Sequence, residues 1–360
     1  MALGKIGWYV HLMGKTSKAE AFEGYDGFSG SVTLIRRKGR ICTELTYHLA
    51  LWKILLKESF DIVLFEPPQL RLIMVPAILS FLRAIRTRFV MDVRTPLVEA
   101  AQYNPTERLN YYLAMKFAKW VLPGVTLITE ALEKDLRPLF GKKTKVLVWG
   151  SGVDEEMFNP SNTDADLRKK LGLEQRFVFF YHGALTLSRG VPELILALEK
   201  LSTDCPEAAL VLLGDGASVG ELKRQVYESG LTDAVFFLES VDNAEVPKYI
   251  GIADVGVIPL PGKRCWQVSS PLKLFEYMSM QVPMVVSDIE AHRAVLDEAP
   301  FVVYAKEVTP QGLCDAMKYA IDKISDLKMN ASHARTQVEE KHSWMNRAKI
   351  LSGFLSEVCM

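Results

Sequence analysis

Along the chain, short apolar runs alternate with longer stretches in which apolar positions recur every three or four residues. The short runs, bounded by Gly, Pro, Asn or Asp, fit buried strands, and the 3.6-residue recurrence fits helices packed on one face. Strands are expected at 6–10, 32–36, 62–65, 89–92, 127–129 and 146–148, with helices at 43–57 and 107–120 among them. The second half repeats the rhythm more clearly. Its strands are expected at 177–181, 209–213, 235–237, 255–258, 284–286 and 301–304, and its helices at 191–201, 220–229, 244–251, 272–280, 291–296 and 310–325. Such alternation specifies α/β architecture, parallel sheets with helical crossovers. A Gly-, Asp- and Pro-containing stretch over 150–160 separates the halves. The expected division is a Rossmann-like domain over 1–155, a second over 156–345, and a last helix within 346–360 that packs back toward the first.

Charge sharpens this division. Residues 1–150 hold 22 Lys+Arg against 13 Asp+Glu, a net +9, whereas residues 151–360 net −9 in a chain whose total is zero. A basic domain suits an anionic partner such as phosphate groups or a membrane surface; it is equally consistent with a domain that is merely basic. Residues 72–82 are apolar and uncharged between Arg71 and Arg83, and Arg86 and Arg88 follow. That run is shorter than the roughly 20 residues that cross a bilayer. It reads either as a core helix or as a helix lying in a membrane interface. The apolar stretch at 6–10 reads as a strand and not as a signal peptide. Five cysteines without a C-x-x-C pair, and six scattered histidines, give no disulfide framework and no metal cluster. They suit a reducing cytosol, with the protein cytoplasmic or peripheral at the inner face of the membrane.

The richest chemistry lies in Ser269-Ser-Pro-Leu-Lys-Leu-Phe-Glu-Tyr-Met278. Ser270 reads as a helix N-cap with Pro271 at the first helical position. Free N–H groups at such a start attract a diphosphate. Lys273 lies in the first turn, and Glu276 falls three residues on, where a carboxylate can accept the hydrogen bonds of a ribose diol. Leu272, Phe275 and Met278 are expected to face the sheet. Read alone, the same residues also describe a capped surface helix with a Lys–Glu pair. Two further turns add weight. Gly183 follows a strand and opens a loop ending Ser188-Arg-Gly-Val-Pro192, which puts Arg189 on the carboxyl edge, where open α/β sheets bind ligands. Leu213-Gly-Asp-Gly216 repeats this one unit later, and Gly214 and Gly216 permit tight turns beside a ligand.

The ordered set His182-Gly-Ala-Leu, Ser188-Arg-Gly190, Leu213-Gly-Asp-Gly216, Ala253-Asp-Val, Ser270-Pro-Leu-Lys-Leu-Phe-Glu-Tyr-Met278 and Val282-Pro-Met-Val-Val-Ser-Asp288 resembles the family-4 retaining glycosyltransferases of GT-B fold. The resemblance implies two Rossmann-like domains facing across a cleft, with acceptor on the first and nucleotide sugar on the second. It implies that Arg189 neutralises the donor diphosphate, that Glu276 holds the ribose, and that Ser270 and Lys273 read toward the phosphates. It also implies transfer with retention, without a metal, with no cofactor beyond the donor and no nucleic-acid partner. This chain departs from the pattern at three places. Val268 stands where the family's first glutamate falls, Ala184 replaces an arginine, and Gln281 replaces a glycine two residues before Pro283.

The first domain is then expected to supply the acceptor site. Gly14, in the turn after the first strand, is a candidate for touching donor phosphates. Asp92 and Arg94, at the end of the fourth, are candidates for an acceptor hydroxyl and an acceptor phosphate; a structural Asp–Arg pair explains them equally well. His11, alone near a strand end, reads as structural. The basic first half favours a lipid-linked or polysaccharide acceptor. Two alternatives remain at this point: a nucleotide-sugar epimerase of the same architecture, and a degenerate, non-catalytic partner marked by Val268 and Ala184.

Overall fold

The structure, a computed structural model, describes residues 2–16, 30–36, 40–94 and 105–360. It divides into two compact units. Unit 1 is Met1–Gly150 with Trp344–Met360, and unit 2 is Ser151–Ser343.

In unit 1, β1 (Val10–Thr16) and β2 (Gly30–Arg36) form a two-stranded parallel sheet. A second parallel sheet orders β3 (Ile62–Phe65), β4 (Arg88–Val93), β5 (Gly124–Leu127) and β6 (Lys145–Val148) side by side. Among the described residues, unit 1 thus holds two parallel sheets. The last helix, Trp344–Cys359, belongs to this unit: Leu351, Phe354, Leu355 and Val358 cluster with Val90 of β4. Gly124 makes that approach close, because a Cβ there would lie 2.9 Å from the Phe354 ring.

Three expectations in this unit shift. The first strand is not 6–10 but starts at Val10, since Ala2–Lys5 is a short helix and Gly7, at φ +96°, turns the chain after it. Trp8 is held from afar, its indole donating to Ser352 Oγ at 2.8 Å. Gly14 therefore lies inside β1, paired with Leu34, and not in a turn. The fifth strand ends at Leu127; Thr129 instead caps the helix Glu130–Leu136, accepting from Leu132 N at 3.2 Å.

Unit 2 holds six parallel strands: β7 (Phe177–His182), β8 (Ala208–Leu213), β9 (Val235–Leu238), β10 (Val255–Ile258), β11 (Met284–Ser287) and β12 (Val302–Ala305). Their order is β12-β11-β10-β7-β8-β9. This is a doubly wound sheet whose connections reverse direction between β7 and β10. The inner strands are apolar nearly throughout, as burial on both faces requires. Phe179, Tyr181, Leu210, Leu212, Val255 and Val257 meet the helices Val191–Leu201 and Pro310–Asp322 in one core. The helix expected over 310–325 breaks after Asp322, and a separate helix runs Ile324–Ala331.

Candidate functional site: a cationic cradle at the sheet switch point

The switch point of unit 2 is where the chain leaves β7 and β10 in opposite directions, opening a crevice at their carboxyl ends. Three loops meet there with their backbones in contact. Gly190, at φ +76°, sits so close to the end of β10 that a Cβ would fall 1.8 Å from the Pro259 carbonyl oxygen. At Gly214 a Cβ would fall 2.1 Å from the Gly183 carbonyl oxygen, and at Gly216 2.3 Å from that of Leu185. The neighbouring loop's backbone therefore leaves no room for a side chain at Gly214 or Gly216.

Into this floor reaches the helix Leu272–Ser279. Its N-cap is Pro271 and not Ser270; the Leu274 N–H donates to the Pro271 carbonyl at 3.3 Å, and no side chain caps the N–H groups of Leu272 and Lys273. Ser270 is engaged elsewhere: its Oγ accepts from Ser151 N at 3.3 Å and its carbonyl from Ser151 Oγ at 3.2 Å. Leu272 is 46% exposed and does not face the sheet, whereas Phe275 and Met278 are buried as expected.

Lys273 runs beneath Gly183, its Nζ 2.9 Å from where a Cβ of that residue would be and 5.0 Å from the centre of the Tyr181 ring. Arg189 lies over the Trp266 ring at 4.8 Å, and the Trp266 indole donates to Ser188 O at 3.1 Å, fixing the platform. Arg189 also reaches the Tyr181 hydroxyl, so the two cations converge on one aromatic side chain. Burial lowers the Lys273 pKa first and the Arg189 charge lowers it further, opposed by Glu276. Burial raises the Glu276 pKa, opposed by Lys273. His182 Nε2 lies 3.3 Å from Glu276 Oε2 but without hydrogen-bond geometry, and it has no other partner. Burial and the Lys273 charge hold that imidazole well below its ordinary pKa, hence neutral. Two half-buried cations facing one buried, weakly acidic carboxylate form a cradle short of negative charge. A diphosphate with a neighbouring diol supplies what it lacks.

The structure thus brings Arg189, Gly183, Lys273 and Glu276 together. Tyr181, His182 and Trp266 also belong to the cradle; of these the sequence singles out His182 alone, as part of a motif and without a role. The one available signal was the aromatic–His–Gly ending of β7. The departures from the family pattern also take shape. Val268 is buried and apolar. The Ala184 carbonyl accepts from the Tyr181 hydroxyl at 3.0 Å. Gln281 occupies a left-handed conformation at φ +57°, which explains why a glycine suits that position. Beside the cradle, at the ends of β8 and β9, a cavity of about 290 Å³ is lined by Gly214, Asp215, Lys223, Phe237, Glu239 and Ser240 among others.

The carboxyl edge of unit 1's larger sheet carries a different cluster. Asp92 in β4 is buried, and its Oδ1 accepts from Thr126 Oγ1 at 2.7 Å and from the Trp149 indole at 3.1 Å. Arg94 stacks on Trp149 at 4.3 Å and donates to its carbonyl at 3.4 Å, acting on Asp92 through its field. Burial raises the pKa of Asp92 and of Glu66, which follows β3; the Asp92 charge raises that of Glu66 further, and Arg94 opposes both shifts. His11, near this sheet's companion, meets Glu58 at 3.3 Å and the edge of Phe60.

The structure superposes on sucrose-phosphate synthase from Thermosynechococcus elongatus with a TM-score of 0.78, at 16% identity, covering 99% of this chain and 90% of that one. It superposes on Anabaena Alr3699/HepE in complex with UDP-glucose with a TM-score of 0.75, at 17% identity, covering 96% and 99%. The chain has the α/β GT-B fold. Within it, residues 163–341, just under half of the chain, match the family Glycosyl transferases group 1. A UDP-Gal:alpha-D-GlcNAc-diphosphoundecaprenol alpha-1,3-galactosyltransferase of Escherichia coli is 26% identical over 257 residues, 69% of this chain and 63% of that relative. The chain spans about half the length of the curated relatives it matches.

Proposed function

We propose that this chain is a glycosyltransferase that moves a sugar from a nucleoside diphosphate-sugar to an acceptor hydroxyl. The observation that carries the reading is the convergence of Arg189 and Lys273 on Tyr181, one turn from Glu276, at the switch point of unit 2. In the reaction the bond from the anomeric carbon to the diphosphate breaks, its electron pair staying with the departing oxygen, while the acceptor oxygen bonds to that carbon and its proton passes to the released diphosphate or to water. Arg189, Lys273 and the uncapped helix start take up that charge in a water-poor setting, where such groups act most strongly. They do so without a metal. Glu276 holds the ribose diol, and the cavity at the ends of β8 and β9 takes the base. Retention of anomeric configuration belongs to the same proposal and rests on the family resemblance.

The acceptor in this reading is lipid-linked or a polysaccharide, met by a protein peripheral to a membrane. The basic first half and the lipid-linked substrate in the name of the Escherichia coli relative support it. Asp92 orients the acceptor hydroxyl and Arg94 an acceptor phosphate. A second reading, nucleotide binding without transfer, draws on Val268, an apolar residue where the family pattern has a carboxylate. A panel of nucleotide sugars tests both. The transferase reading expects one donor to raise the thermal midpoint of the wild type but not of Glu276→Ala, and to be consumed when acceptor is added. A donor that binds and is never consumed supports the second reading. No donor effect separating wild type from variant would remove the site altogether.

A further inference from the structure

Unit 1 turns a band of apolar side chains outward. On the helix Leu70–Phe81, Ile73, Pro76 and Ala77 face inward. Met74, Val75, Ile78, Leu79, Phe81 and the adjoining Leu82 are all between 37% and 65% exposed. Their spacing puts them on one side of the helix. The helix Pro105–Val121 packs beside it and exposes Leu109, Tyr112, Leu113 and Trp120. Lys116 and Lys119 lie over the rings of Tyr112 and Trp120, at 4.7 and 5.4 Å. Directly after Leu82 the chain turns at Arg83, held at φ +58°. Arg83, Arg86 and Arg88, with Asp61, line a cavity of about 510 Å³.

We propose that this surface is a docking site for an anionic lipid bilayer. The apolar helix face would enter the headgroup–acyl boundary, and the arginine-lined cavity would receive a lipid phosphate. Three observations select a bilayer as the occupant. Between Met74 and Leu82 the exposed positions carry no charge, so this stretch gains from an apolar phase. Its rim is cationic, and lysines beside Tyr and Trp match the level at which headgroups meet acyl chains. The arginine cavity begins at the residue that ends the apolar face, so one pose satisfies both. No helix among the described residues is long and apolar enough to cross a membrane, and the proposal needs only a surface-lying helix. It deepens the membrane part of the functional reading and is independent of the donor site.

Co-sedimentation of the full chain tests it. Vesicles of phosphatidylcholine with about a quarter phosphatidylglycerol should bind the protein, and pure phosphatidylcholine vesicles should bind it at least about tenfold more weakly. Salt at about 0.5 M should release it. Arg83→Gln with Arg86→Gln should weaken binding by about fivefold per arginine, since each contributes one surface charge. Ile78→Gln with Phe81→Gln should weaken it by about tenfold or more through lost apolar burial. Both variants should keep the wild-type thermal midpoint and nucleotide affinity, which separates failure of this proposal from failure of the donor reading. Equal binding to both vesicle types overturns the proposal, as does wild-type binding by both variants. So does a dimer in vesicle-free buffer that the Ile78/Phe81 variant converts to monomer, because the face would then join two copies.

Discussion

The carboxyl edges of the two units use the same construction to opposite electrostatic ends. In unit 2, Arg189 and Lys273 share one carboxylate, Glu276, and the lysine is held below its ordinary pKa. In unit 1, Arg94 faces two carboxylates, Glu66 and Asp92, and both are held above theirs. Each edge is buried enough for the imbalance to persist. The first is incomplete until an anion arrives. The second is eased by a hydroxyl hydrogen or a proton. What differs is the ratio of guanidinium and ammonium groups to carboxylates, set by a few residues at strand ends.

The sharpest way to break this contrast is Arg189→Ala, which should lower turnover by roughly 10²- to 10³-fold through loss of charge stabilisation in the transition state. Steady-state assays at saturating donor read it, and an unchanged rate would mean that no charge develops at this edge. Next, Glu276→Ala should weaken donor binding by roughly 1.5–3 kcal/mol, the cost of losing a hydrogen-bonded buried carboxylate. Titration calorimetry measures this, and intact affinity would place the diol elsewhere. A change on the other edge should behave differently. Asp92→Asn should lower turnover roughly tenfold, the value of one charge-assisted hydrogen bond, and leave donor affinity alone. Should donor binding fall as well, the two edges would not have separate roles.

The smallest effect is on stability. Burial raises the Glu276 pKa, so the folded chain keeps a proton there that the unfolded chain releases. The stability this adds is present at low pH and is lost as pH rises above the usual carboxylate value toward neutrality. Relative to Glu276→Gln, the wild type should lose on the order of 1 kcal/mol across that interval. Parallel melting curves for the two proteins would show it, and parallel pH profiles would contradict the shift.

Much of unit 2 was legible in sequence because its strands are uninterrupted apolar runs between turn residues. Val255–Ile258 and Val191–Leu201 were delimited to the residue. Arg189, Lys273 and Glu276 were visible because each sits at a fixed offset from a glycine or proline. Ser270 was misread because its partner, Ser151, is 119 residues away, and a local N-cap pattern cannot register that competition. The same holds for 6–10, where apolar residues signalled a strand. Trp8 instead ties to Ser352, 344 residues on, so tertiary burial accounts for the apolar pattern. Tyr181, His182 and Trp266 acquire their roles from neighbours on other elements, and no spacing rule along one element reveals that.

The helix Trp344–Cys359 completes a unit whose other residues all precede Ser151. During synthesis, unit 2 can close its own core while Val90 still lacks its cover. Unit 1, most of which precedes unit 2 along the chain, is then the later of the two to finish folding. A premature stop shortly after Ser343 would leave unit 2 whole and strip unit 1 of the side chains that seal β4 and β5. Nascent-chain proteolysis would register this as protection appearing first across Ser151–Ser343 and later in the segment that precedes it.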